Sequence, residues 1–279
     1  MLICFRLRVV LVALFVFALL AGPAAAEEIF PDENLRTVIR EILKKKQIEK
    51  DEIEEDDLKT IYFLDADGRG IADLTGLDKC TNLASIKLPN NEIENVEPLA
   101  ALKNVQELHL QGNSITDVAP IGEMVKLQYI DLTGNSVESL AGLEKLDNLR
   151  SLYLSGNNVS DLTPLSGSTK LTSLYLDDNA VSDLGAIKGL TRISLLGLKG
   201  NEIKDLSPLA SYTELRYTFL EGNPLEDLST LVEMARADVE GDKRFAPYWY
   251  LYLDVDSLPD AAKAQVAELE ELGVRVNRE

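Results

Sequence analysis

His109, Glu107 and Asp131 are the residue types of a general base with an orienting carboxylate, and Ser151 is the nearest candidate nucleophile. The elements that carry them decide whether they can meet. If each sits on its own short strand at the repeat spacing described below, Ser151 lies two strands from His109, about 10 Å away. That is too far for proton transfer, so a solvated, non-catalytic His109 is expected and no catalytic residue is assigned. The stretch Asp65-Ala66-Asp67-Gly68-Arg69-Gly70 has the look of a calcium loop. Arg69, however, occupies a position that needs an oxygen ligand, and Gly76 stands where a bidentate Glu belongs. No metal and no cofactor are expected. Paired carboxylates abound, and spacing singles out none of them.

The chain has 279 residues with 47 acidic and 28 basic side chains, one His and two Cys, and a formal charge of -19. Such a field repels phosphate backbones, which makes nucleic acid an unsuitable partner. Zinc sites built from several Cys or His are excluded. Met1 to Arg8 is basic, Val9 to Leu20 is apolar, and Ala24-x-Ala26 follows. That order predicts an export signal over 1–26 cleaved after Ala26, with an apolar run too short to span a membrane and no membrane insertion of the mature chain. Cleavage removes Cys4 and leaves Cys80 as an inert thiol at a core position. No wall-anchoring segment is read after Glu279, so anchored host adhesion is not part of the expectation.

Self-similarity organises the rest. Asn recurs at 91, 113, 135, 157, 179, 201 and 223, every interval being 22 residues. In the same register come Leu83, Val105, Leu127, Leu149, Leu171, Ile193 and Leu215. Three residues on are Ile86, Leu108, Ile130, Leu152, Leu174, Leu196 and, as the one lapse, Thr218. Ile61, Leu64 and Ala66 begin an earlier unit with Arg69 at the Asn position, so eight units cover 61–234. The pattern L-x-x-L-x-L alternates inward and outward, and stacking successive units as a parallel sheet buries the inward leucines. Asn91, Asn113, Asn135, Asn157, Asn179, Asn201 and Asn223 then form a structural ladder, because one amide can satisfy both donors and acceptors of adjoining turns. Asp73, Asn95, Asp117, Ser139, Asp161, Asp183, Asp205 and Asp227 follow four residues later as helix N-cap residues, several ahead of a proline in the first turn.

The segment Leu149-Arg-Ser-Leu-Tyr-Leu-Ser-Gly-Asn-Asn-Val-Ser-Asp-Leu-Thr-Pro-Leu165 resembles the 22-residue leucine-rich repeat of bacterial internalins, and is similar to the repeats of a eukaryotic protein-phosphatase regulatory subunit. The resemblance implies an α/β solenoid. This is a leucine-rich-repeat horseshoe with a parallel concave sheet, short 3-10 or irregular convex turns, a helical amino-terminal cap and a β/α carboxyl-terminal cap. A stack of turns needs covers at both ends. Phe30-Pro31-Asp32 opens a helix whose Leu35, Val38, Ile39, Ile42 and Leu43 share a face, giving a cap over 27–60. Beyond Met234 the register slips. Ala235 to Pro247 reads as a charged insertion, after which Tyr248, Leu251 and Leu253 resume the pattern as a ninth strand. A helix from Pro259 to Leu272, Gly273 as its C-cap and a short strand Val274 to Val276 complete a second cap over 235–279.

Residues between the inward leucines face the concave side. There Tyr129, Tyr153, Tyr175, Tyr217 and Phe219 predict an aromatic binding strip rimmed by Asp131, Asp177 and Glu221, with Tyr250 and Tyr252 added by the ninth strand. The alternative is that these rings only stack on one another as sheet neighbours. The expected function is a non-enzymatic, exported scaffold that recognises a protein or peptide. Glycan binding is the rival, since aromatics and carboxylates also suit sugars. A regulatory-subunit role, which the phosphatase resemblance suggests, sits poorly with an export signal.

Overall fold

The computed structural model describes residues 29–50 and 52–278, so the expected export signal over 1–26 lies outside the described residues. The 22-residue period becomes a stack of turns, each beginning with a three-residue strand. These are β1 (Phe63–Asp65), β2 (Ser85–Lys87), β3 (Glu107–His109), β4 (Tyr129–Asp131), β5 (Ser151–Tyr153), β6 (Ser173–Tyr175), β7 (Leu195–Gly197) and β8 (Tyr217–Phe219). β9 (Tyr250–Tyr252) and the two-residue β10 (Arg275–Val276) complete one ten-stranded parallel sheet in sequence order. The pairing register equals the repeat register, with the inward aliphatic positions aligned rung on rung: Ile130 opposes Leu152, and Leu152 opposes Leu174. The inward aliphatics at the strand centres, from Leu64 to Leu251, are at most 1% exposed and belong to one continuous core with no internal boundary.

Short 3-10 turns such as Glu97–Ala101, Thr163–Leu165 and Ser207–Leu209 return the chain along the convex side, with Pro98, Pro164 and Pro208 in their first turns. Of the eight residues expected as N-caps, six sit one position before the cap, while Asp73 and Ser139 sit three positions before Gly76 and Gly142. The cap residues are apolar, as Val96 and Leu162 are, and each Asp or Asn accepts from the N–H two residues on, as Asp161 does from Thr163 at 2.8 Å. The offset is the same before the three-residue Thr163–Leu165, the five-residue Glu97–Ala101 and the twelve-residue helix Ser229–Glu240, so a local side-chain turn replaces the cap whatever the helix length.

At the amino end α1 (Glu33–Lys45) lays Leu35, Val38, Ile39 and Leu43 on the first turn. Asp32 caps it by accepting from Leu35 N–H at 2.8 Å, and its second oxygen takes Ala72 and Asp73 N–H, which ties the helix to the first repeat. A short α2 (Glu55–Leu58) precedes β1. At the carboxyl end α3 (Ser229–Glu240) begins inside the eighth unit, takes in the first six residues of the expected charged insertion over 235–247, and buries Leu231, Val232, Met234 and Ala235. Buried Asp238 accepts backbone N–H bonds from Arg244, Phe245 and Ala246 and so folds the following loop. Tyr248, expected to point inward, is 54% exposed; its neighbour Trp249 is fully buried in its stead. α4 (Asp260–Glu271) ends near Gly273, whose φ of 94° needs a residue without Cβ, and β10 follows.

Candidate binding surface

The Asn ladder shapes the edge of the concave sheet. Asn157 donates to Leu132 O at 3.0 Å and Leu154 O at 2.9 Å, and accepts from Val137 N–H at 2.9 Å. One amide therefore serves its own turn and the preceding one. Asn113, Asn135, Asn179, Asn201 and Asn223 repeat this arrangement, and Asn91 accepts from Arg69 and Ile71 N–H. Arg69, where Asn is missing, turns its guanidinium outward to Glu41. Gly122 and Gly142 touch across adjacent turns on the convex side; a Cβ on Gly122 would lie 2.1 Å from Gly142 O. Rungs held this rigidly present their outward side chains at fixed positions.

On that frame most of the aromatic side chains form one track. His109 packs on Tyr129 with centroids 4.6 Å apart, Tyr129 on Tyr153 at 5.2 Å, and Tyr153 on Tyr175 at 5.1 Å with only 7° between planes. Tyr175 meets Phe219 at 6.2 Å and 35°, and Phe219 stacks on Tyr252 at 4.8 Å and 10°. Tyr217 stands outside this track. It stacks on Tyr250 at 4.9 Å, and the guanidinium of Arg275 closes that second stack 4.9 Å from the Tyr250 centroid. The expected strip thus divides into two, and it is longer than Tyr129 to Phe219. The alternating Tyr250-Leu251-Tyr252 signalled its extension, but no pattern marked Arg275, which reaches the surface from a two-residue strand.

The three rim carboxylates differ. Asp131 accepts from Thr133 N–H at 3.0 Å, and Asp177 accepts from Lys199 N–H at 2.9 Å and from the Ser155 hydroxyl at 3.2 Å. Glu221 carries a buried Oε2 with no donor among the described residues, as does Gln111 with its Oε1. Burial pushes the Asp177 carboxyl above the ordinary carboxylate value. Burial, with Asp131 next, pushes the Tyr129 hydroxyl up to about 12. His109 is not the solvated side chain expected. It is half-buried, and burial followed by the Lys87 charge lowers its pKa, so the ring that stacks on Tyr129 is neutral at pH 7. Ser151 lies on β5, with β4 between it and His109. Cys80 is fully buried, and its thiol is pushed up to about 12 by burial.

The geometry limits what the surface can recognise. Rings stacked face to face show a ligand their edges and hydroxyls, while their faces are covered by neighbours. Among the described residues no group of three or more His, Cys, Asp or Glu is arranged to hold a metal ion, and no helix is long and apolar enough to cross a membrane.

Comparison with known proteins adds sequence and shape. A leucine-rich-repeat family model matches residues 103–159, and a model of two leucine-rich-repeat copies matches 147–189. Comparison with curated proteins gives no match. Among solved structures, internalin C2 of Listeria monocytogenes is 32% identical, with 74% of this chain and 91% of that one covered and a TM-score of 0.69. An internalin of the same organism, inlF, is 28% identical over 90% of this chain and 72% of its own, with a TM-score of 0.75. A plant peptide hormone receptor, RGFR1, shares the fold at 24% identity over 57% of this chain and 28% of its own, with a TM-score of 0.52.

Proposed function

The chain belongs to the internalin family of leucine-rich-repeat proteins, and from that premise we propose that it is an exported, non-enzymatic scaffold that holds a protein or peptide against its concave sheet. In this reading residues 1–26 direct export, 27–60 and 235–279 cap the two ends, and 61–234 form the recognition surface. The partner-binding residues are Tyr129, Asp131, Tyr153, Tyr175, Asp177, Tyr217, Phe219 and Glu221, joined by Tyr250 and Tyr252.

One observation carries the reading. The aromatic track runs from His109 on β3 to Tyr252 on β9, bridging the one rung without a ring, Gly197 on β7, across a sheet whose rungs are locked by the Asn ladder. A rigid aromatic surface loses little entropy when it binds, and Tyr is enriched where interfaces draw their energy. RGFR1, of the same fold, was solved in complex with RGF2. Stacking also weighs against the glycan reading, because sugars pack on open ring faces and, apart from the splayed pair Tyr175 and Phe219, the interior faces of this track are covered by parallel or closely tilted rings.

The test is capture by the mature chain from cell-envelope and host extracts, with and without prior protease digestion of the extract. Capture is expected to vanish after digestion. It is expected to vanish also for Tyr153→Ser/Tyr175→Ser, a surface pair whose loss leaves the inward leucines in place and the far-UV spectrum unchanged. Undiminished capture by the folded double variant, or capture that survives digestion, would overturn the proposal.

A further inference from the structure

The aromatic track has one weak joint. Of the rungs from β5 to β9, four place a ring in the second outward column: Tyr153, Tyr175, Phe219 and Tyr252. β7 places Gly197 there. Rings two rungs apart should stand about 9.6 Å from each other at the usual strand spacing. Tyr175 and Phe219 instead lean together over the glycine to 6.2 Å. Their planes splay by 35°, whereas Tyr175 lies parallel to Tyr153 on its other side and Phe219 parallel to Tyr252. The joint is therefore where two ring faces are turned toward each other without a parallel ring covering either.

The Asp177 carboxylate lies at the same spot. The two Asp177 oxygens lie 2.7 and 2.8 Å from where a Gly197 Cβ would be, and the Tyr175 ring lies 2.6 Å from it. Glu221, two residues beyond Phe219, holds its buried Oε2 without a donor. The ladder-side edge next to them is strongly acidic. Among the six residues that follow each ladder position, from 70–75 to 224–229, Lys204 is the only base, while Glu92, Glu138, Glu202 and Glu226 are exposed there. The opposite edge carries Lys103, Lys126, Lys145, Lys170 and Arg192. Lys199, beside the joint, is exposed, and its charge acts on the Asp177 carboxyl without an ion pair or ring contact among the described residues.

The molecule also shows what closes such a face. The neighbouring stack of Tyr217 and Tyr250 ends under the guanidinium of Arg275, and Arg216 lies 5.2 Å from the Tyr248 ring. At the joint the same kind of face, with carboxylates added, has no cation packed on it among the described residues. We propose that the joint above Gly197 seats a cationic side chain, arginine or lysine, of the polypeptide bound on the concave face. This rests on the concave-face reading and adds the chemistry of the partner: a basic segment anchored on β7 between Asp177 and Glu221. A guanidinium at the joint donates to the Asp177 carboxylate, with the Glu221 charge two rungs along adding to the field that draws it there.

The probe is N-acetyl-arginine amide, titrated into the isotope-labelled mature chain and followed by amide chemical shifts, with the citrulline analogue as its neutral isostere. Saturable shifts are expected at Gly197, Lys199 and Glu221 with arginine and not with citrulline. Glu221→Gln, a shape-conserving change, should raise the dissociation constant about fivefold or more, and Asp147→Asn on the opposite edge should leave it unchanged. Equal shifts with citrulline, shifts centred elsewhere, or an indifferent Glu221→Gln would overturn the seat. None of these results touches capture by the Tyr153 and Tyr175 pair, so failure of the seat and failure of the concave-face reading remain separable.

Discussion

The indole N–H of Trp249 donates to the hydroxyl of Thr218 at 2.9 Å, and both residues are fully buried. Thr218 is the one inward strand position where the repeat abandons an aliphatic side chain. Its polar atom is there because the carboxyl-terminal cap inserts a tryptophan that must place a donor. The lapse in the pattern and the irregular residue after Tyr248 are two halves of one contact, 31 residues apart.

Thr218→Val keeps the shape and removes the acceptor. It should cost about 1–3 kcal/mol, the penalty of a buried donor left unpaired. Urea denaturation measures it. Trp249→Phe in the Thr218→Val background should cost less than in the wild-type chain, because the unpaired donor is removed with the indole.

Asn157 holds three backbone groups, and Asp161 holds one beside solvent. Asn157→Ala should therefore destabilise by about 3 kcal/mol or more, and Asp161→Ala by about 1 kcal/mol. If the two variants lose equal stability, the ladder does not contribute as described.

His109 is the chain's single imidazole, so its ring proton gives one resolvable NMR titration. Burial and Lys87 lower its pKa, and the midpoint should fall below 6.5. The stability linked to this group is complete above the unfolded value of about 6.5 and is lost as pH falls toward the folded midpoint, because the unfolded chain then binds the proton first. Lys87→Gln should move the midpoint upward.

Asp177 behaves in the opposite sense. Its folded pKa is raised by burial, so the unfolded chain releases the proton first and the linked stability, complete below the ordinary value of 3.8, is lost as pH rises through the folded value. Asp177→Asn should therefore raise the melting temperature at pH 7, and that advantage should disappear at pH 3. A carboxylate that weakens the fold at neutral pH is what a surface kept for binding shows.

Gly197→Ala places a Cβ within 2.6 to 2.8 Å of the Tyr175 ring and the Asp177 carboxylate. The inward Leu196 and Leu198 are untouched, so the expected result is a cooperative fold with Tyr175 displaced. The measurement is the loss of ring-current shifts between Tyr175 and Phe219 at unchanged far-UV signal.

The spacing of Asn91 through Asn223 and of the inward leucines determined the solenoid, its strand order and the face each side chain occupies. A 22-residue period leaves no other way to bury every Leu at once, and parallel neighbours one period apart inherit that register. The α1 face of Leu35, Val38, Ile39 and Leu43 was legible for the same reason, helical periodicity. What lies outside the period was decided by tertiary contacts. α3 formed across the end of the eighth unit and the start of the charged stretch from Ala235 because its apolar residues had the open end of the stack to cover. Trp249 turned inward in place of Tyr248 because Thr218 offered an acceptor 31 residues away. Residues such as Asp161 and Asp227 sit one position before the cap because each side chain closes a local turn on the N–H two residues on. Within the concave columns the residue types were fixed by register, but ring tilts were not. That Tyr175 and Phe219 close over Gly197, that Tyr217 joins Tyr250 under Arg275, and that Glu221 keeps an oxygen unpaired all depend on rotamers chosen between neighbouring rungs, which no spacing in one dimension encodes.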